Sequence, residues 1–139
     1  MNTASIALGL FWMAAGLGAP ALAGAESRID CHVTYGGATR VRSATHVDSP
    51  YGIEAVAVGS FFLFKLVFQA RPADVAGVRI YTYVDREYGP VPIHQASHPL
   101  PRRRQGAPGY GFTGLQRVYE PVRDSELEYW CERVGEGRP

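Results

Sequence analysis

The sequence predicts an all-β protein, an antiparallel β-sandwich of about seven or eight strands that follows a cleaved N-terminal signal helix. Three observations predict it. Short β-prone runs recur at regular spacing and are separated by Gly and Pro turn chemistry. Several of these runs alternate side chains with period two, and no segment beyond residue 25 carries a convincing amphipathic helical pattern. Two cysteines, Cys31 and Cys131, stand at opposite ends of the remaining chain, where one disulfide would pin a small fold.

Taken in order, residues 30–35 (Asp-Cys-His-Val-Thr-Tyr) are β-prone and stop at Gly36-Gly37, a hairpin signal, with residues 38–47 as the return strand. Ser49-Pro50-Tyr51-Gly52 is a turn, and residues 53–58 resume an extended path until Gly59. Residues 61–68 (Phe-Phe-Leu-Phe-Lys-Leu-Val-Phe) are apolar on nearly every position. They are too short for a helix and rich in aromatics, so they read as a central strand. Arg71-Pro72-Ala73-Asp74 forms a loop with one helical turn through Ala76. In residues 78–84, Val78, Ile80, Thr82 and Val84 share one face, and Arg79, Tyr81 and Tyr83 share the other. A turn over 85–90 leads to a strand over 91–96. A polar loop over 99–109 then carries Arg102, Arg103 and Arg104, and strands over 110–120 and 126–134 close the domain.

In Glu126-Leu-Glu-Tyr-Trp-Cys131 a tyrosine, Tyr129, precedes the late cysteine by two residues. That spacing resembles the tyrosine corner of immunoglobulin-like domains, which implies a phenol bonded back to an upstream backbone group. The cysteine separation is longer than in antibody domains, and no strand-C tryptophan is present. The expectation is therefore immunoglobulin-like in general architecture only.

Residues 6–25 contain no charged side chain. An apolar core over 6–15 is followed by Gly16, Gly18 and Pro20, and small residues surround Ala23 and Ala25. The pattern is that of a signal peptide over 1–25, although its first five residues carry no Lys or Arg. An uncleaved anchor is the competing reading of a stretch of about 20 apolar residues. Helix-weakening Gly and Pro before the small-residue site favour cleavage. The sequence thus predicts a periplasmic or secreted protein with no stable membrane insertion after cleavage, in one sandwich domain over 26–139. Fourteen Lys and Arg against 13 Asp and Glu leave a formal charge of +1, which offers no electrostatic case for nucleic acid. Beyond the signal the chain has one lysine, Lys65, and one tryptophan, Trp130.

Candidate chemistry rests on four histidines, one acidic strand and a surplus of aromatics. His94 and His98 are the only close histidine pair. With His46 as a third ligand, and Asp85 or Glu87 completing the set, they suggest a copper(II) or zinc(II) site. Residues four apart on a strand lie about 13 Å apart, however, so the chain must bend for the pair to share an ion. His32, beside Cys31, is expected to pack at the edge of the core. His46, Asp48 and Ser49 are triad residue types without the strained elbow a nucleophilic serine needs. Glu126, Glu128 and Glu132 alternate onto one strand face with Trp130. They could do glycosidase work in a cleft, or could be solvated and paired with facing arginines. Tyr81 and Tyr83 lie opposite the core face of their strand, and the loop over 109–114 adds Tyr110 and Phe112.

The sequence points first to an exported, non-catalytic binding or accessory module with no cofactor. Its contact face for an envelope protein or other ligand would be Tyr81, Tyr83, Tyr110 and Phe112, since rigid rings bury area at low entropy cost. A periplasmic copper or zinc protein using His94, His98 and His46 is the alternative.

Overall fold

Gly36 and Gly37 adopt φ of 59° and 78°, the two left-handed conformations that a two-residue type I′ hairpin turn demands. They join β1 (Arg28–Tyr35) to β2 (Ala38–Thr45) in an unbroken antiparallel register from Arg28 opposite Thr45 to Tyr35 opposite Ala38. The computed structural model describes residues 26–101 and 109–135. The expected signal peptide over 1–25 and the arginines at 102–104 lie outside the described residues.

Six further strands follow: β3 (Val56–Val58), β4 (Phe62–Gln69), β5 (Gly77–Arg86), β6 (Gly89–His98), β7 (Gln116–Glu120) and β8 (Ser125–Val134). One 3-10 turn, Ala73–Val75, lies where the helical turn is expected. The strands form two four-stranded antiparallel sheets, ordered β2-β1-β8-β7 and β3-β4-β5-β6, packed as a β-sandwich. The inward faces are the alternating apolar positions. Ile29, Cys31 and Val33 of β1 and Leu127, Tyr129 and Cys131 of β8 meet Phe62, Phe64, Leu66 and Phe68 of β4 and Val78, Ile80 and Val84 of β5. All of them are buried. Burying each such side chain stabilises the fold by roughly 1.5–3 kcal/mol against leaving it exposed. The Phe64 and Tyr129 rings meet edge to face at 5.4 Å across the sandwich.

The turn expected over 85–90 tightens to Glu87 and Tyr88, with Asp85 paired to Pro90, and β6 runs on to His98 rather than ending at residue 96. Two further segments differ from expectation. The strand expected over 53–58 shortens to three residues, because Val47 takes the remaining length of the β4 edge. Its N–H donates to Phe68 O at 2.8 Å, and Val47 and Gln69 form an isolated parallel bridge. The strand expected over 110–120 begins only at Gln116, since Gly111 and Gly114 turn the chain with φ of 59° and 68°.

The disulfide joins Cys31 and Cys131, directly opposite one another on β1 and β8, with Cα atoms 4.0 Å apart. It staples one sheet internally, whereas the immunoglobulin bridge crosses between sheets. Cys131 N–H donates to Thr113 Oγ1 at 2.8 Å, and its carbonyl accepts from Phe112 N–H at 2.9 Å. Both groups point away from β1, so the cysteines occupy a non-hydrogen-bonded pair, where cross-strand side chains come closest.

Candidate functional site

Alternation along β4 and β5 turns Leu63 and Lys65, and Tyr81 and Tyr83, to the outside of the second sheet, because their neighbours are spent on the core. The register sets these residues in two rows across three strands. Leu63 pairs with Tyr83, which pairs with Pro92, and Lys65 pairs with Tyr81, which pairs with Gln95. The Tyr81 and Tyr83 rings stack along the strand with centroids 6.3 Å apart and planes 26° apart. Lys65 Nζ lies 5.8 Å from the Tyr81 ring centroid, within cation–π reach. Arg79 closes one end of the face by donating to Gln69 Oε1 and Val75 O, each at 2.9 Å.

Pro92 reaches this face through a feature the sequence did not announce. The β5–β6 register shifts between Thr82 and Tyr83, which leaves Ile93 as the extra residue of a bulge, packed against the core. The shift puts Pro92 beside Tyr83 while His94 stays directed inward. The only sequence signal was Pro90 and Pro92 within an otherwise extended run.

The expected aromatic face does not assemble as one surface. Tyr110 lies on the other sheet, with its ring 6.1 Å from Trp130, and Phe112 packs against the core and the His98 ring at 5.5 Å. Gly111 separates the two. It presses against the Cys131 carbonyl, where a Cβ would collide, and its positive φ sends the neighbouring rings to different sides. Tyr88 is almost fully exposed at the β5–β6 turn, and Tyr119 donates to Asp124 Oδ1 at 2.6 Å on the outer surface of β7.

Nor do the three expected histidine ligands converge. His46 Nδ1 lies 3.3 Å from Glu26 Oε1, and its ring meets Phe68 edge-on. His94 Nε2 is 2.7 Å from Tyr129 Oη on the opposite sheet. His98 meets Phe112, and its buried Nε2 has no partner among the described residues. His94 and His98 flank Ala96 on the inward face of regular strand, where Cα atoms four residues apart are spaced by about 13 Å, and each ring has a different neighbour. Among the described residues no three His, Cys, Asp or Glu side chains gather at a common point. Asp85 and Glu87 lie at the β5–β6 turn, away from the three. Burial lowers the pKa of His94, with the nearby His98 adding to the effect, and burial lowers that of His98. Burial also pushes Tyr129 up to about 12, so the phenol keeps its proton and His94–Tyr129 is a neutral bond between the sheets. This is not the tyrosine corner expected from the spacing. Tyr129 is an inward residue of β8, and the group its phenol reaches is an imidazole across the core.

The acidic residues lie on the outer face of the first sheet. Glu128 Oε1 is 2.9 Å from Arg117 Nε, and Glu126 Oε1 is 4.0 Å from the same atom. Glu132 Oε1 is 2.9 Å from His32 Nε2, and the His32 ring stacks on Trp130 at 3.8 Å. His32 therefore belongs to the outer face rather than to the core edge. Asp48 pairs with Arg71 at 3.1 Å, and Ser49 Oγ accepts the Tyr51 N–H, so neither joins His46 in a triad. Among the described residues Glu120 is the one carboxylate with no exposed surface. Burial alone would raise its pKa, but the N–H groups of Arg123 and Val122 and the Arg86 guanidinium outweigh it and hold the group ionised. It fastens the β7–β8 turn to β5.

Comparison of the chain with models of protein families, with curated proteins and with solved structures finds no match.

Proposed function

We propose that this protein is an exported, non-catalytic binding module that contacts a protein partner through the outer face of β4, β5 and β6. The observation that carries this reading is the stacked pair Tyr81 and Tyr83, held between Leu63 and Pro92 in one row and Lys65 and Gln95 in the other. Two rings already ordered by the strand lose little rotamer freedom on contact, and each combines apolar area with a hydroxyl. Export is supported by the uncharged apolar segment over 6–25 and by the Cys31–Cys131 disulfide, a bond favoured in oxidising compartments. Among the described residues no helix is long and apolar enough to cross a membrane.

The test is a photo-crosslinking residue at position 83, expressed in intact cells, beside a Tyr81→Ser/Tyr83→Ser variant. One discrete crosslinked protein is expected. Capture through position 83 should be lost when Tyr81→Ser is added beside the crosslinker, and the double variant should change stability by less than about 0.5 kcal/mol, as for surface substitutions. A large loss of stability would show the rings to be structural. Unaltered capture would move the contact elsewhere.

A further inference from the structure

The sandwich has four edge strands, and they are not equally guarded. β3 is three residues long and β7 five. β6 carries Pro90, Pro92 and the bulge at Ile93. Short strands, prolines and bulges are the devices that keep edges from pairing with other chains. β2 has none of these three, and its guard is charge alone, in Arg40 and Arg42. It spans eight residues without proline or register break, residues 38–41 are exposed, and it is rich in small and β-branched side chains.

The pairing of β1 shows which backbone groups β2 offers. Since Cys31 and Cys131 are a non-hydrogen-bonded pair, the N–H and C=O of Cys31 point toward β2, and those of its partner Arg42 point back. The neighbours on either side therefore direct theirs outward, so Thr39, Val41, Ser43 and Thr45 present a ladder that no other described strand pairs with. Positions 40 and 42 would be the non-hydrogen-bonded positions of an added strand, where cross-strand side chains approach most closely.

Both positions are arginine, and β2 holds no acidic residue. Among the described residues neither Arg40 nor Arg42 is in an ion pair. Arg42 Nη2 donates to Ala57 O at 3.0 Å, which holds its guanidinium at the rim between the sheets, and its buried Nε has no partner among the described residues. These charges choose the occupant. A second copy paired antiparallel about residue 40, 41 or 42 would set arginine opposite arginine, which is destabilising. An acidic strand meets the opposite sign.

We propose that β2 is a strand-addition site for an extended acidic segment of another protein, with carboxylates two residues apart lying opposite Arg40 and Arg42. Backbone hydrogen bonds to Thr39, Val41 and Ser43 supply affinity, and the arginine pair supplies the choice of sequence. The site lies on the sheet without Tyr81 and Tyr83 and is independent of that face.

The experiment uses the isotope-labelled folded protein and a peptide of about eight residues alternating Glu with Val and Thr, beside the same peptide with Lys for Glu. The Glu peptide is expected to slow amide exchange at Thr39, Val41 and Ser43. It should bind about tenfold or more tightly than the Lys peptide, from two facing charge pairs. Arg40→Glu, at an exposed position, should narrow or reverse that preference. Val41→Pro should abolish binding by removing an outward N–H, while the melting temperature is retained. Tyr81→Ser/Tyr83→Ser should bind the peptide unchanged. Equal binding of the two peptides overturns the proposal, as does no protection of these amides at millimolar peptide. Protection that rises with protein concentration alone would overturn it in favour of a second copy.

Discussion

The outer faces of the two sheets are built from the same alternation and reach opposite chemistry. On the first sheet the outward residues of β1, β7 and β8 are mostly ionic, and they satisfy one another. Arg28 lies 2.9 Å from Asp30, Arg117 lies 2.9 Å from Glu128, and His32 is stacked on Trp130 while bonded to Glu132. Burial would raise the Asp30 pKa, but hydrogen bonds from Arg28 and Ser43, with the charge of Arg28, hold it down. On the second sheet the middle of the outer face holds two stacked tyrosines, a leucine, a proline, a glutamine and the single lysine of the described chain. A face that neutralises itself gains little from a partner, because each new contact must first replace a pair already made. A face of ordered rings has area still to bury. The richer array of carboxylates and histidine is therefore the weaker candidate for contact, and the plainer tyrosine face the stronger.

The difference extends to what holds each sheet. The first is stapled covalently between its middle strands, and the second relies on the phenylalanines of β4. Replacing both Cys31 and Cys131 by Ala should cost about 4.7 kcal/mol in the chain-entropy model for a loop of this size, read from urea unfolding. Phe64→Ala should cost about 3–5 kcal/mol by leaving a cavity opposite Tyr129. If the disulfide variant lost under about 1 kcal/mol, the first sheet would be shown to stand on packing as the second does, and the contrast in how they are held would fail.

Tyr129→Phe tests the polar link that joins the sheets through the core. The loss of its bond to His94, with the imidazole left buried, should cost about 1–3 kcal/mol. A neutral result would mean that this bond adds nothing to the apolar contact around it. The same link predicts a pH dependence. Burial holds His94 and His98 below the ordinary value of 6.5, so between that value and the lower folded one the unfolded chain binds more protons. Stability should be full above pH 6.5 and fall as the pH drops beneath it. His94→Gln/His98→Gln should flatten the slope measured between about pH 7.5 and about pH 5. A slope of the opposite sign would place charged imidazoles in the fold.

The smallest expected effect is on the ionic face. Arg117→Ala breaks its pairs with Glu128 and Glu126 at an exposed position and should change stability by less than about 0.5 kcal/mol. It should leave the crosslink at position 83 unchanged. Loss of that crosslink would mean that the partner spans both sheets.

Much of this fold is legible along the chain. The apolar central strand expected over 61–68 forms as β4, and Tyr81 and Tyr83 point away from the core because Ile80, Thr82 and Val84 point in. Legibility ends where a residue's surroundings come from another part of the chain. Arg117 meets Glu128 because β7 and β8 pair in one register. Tyr129 and His94, 35 residues apart, meet because the sheets face each other. Phe112 parts from Tyr110 because Gly111 must pass the Cys131 carbonyl. The candidate site divides the same way. The tyrosine pair was readable, but its neighbour Pro92 depends on a bulge that strand pairing alone reveals.

What the sequence by itself determined is the period of each strand, the turns that end it and the cysteines that could bridge, because alternation and turn preference are local properties of the backbone. The tertiary structure decided which strands are neighbours, that the bridge lies within a sheet, which charges neutralise one another and which edge is left open. Those outcomes depend on register and sheet order. Both are set by burying one continuous core between strands far apart in the chain.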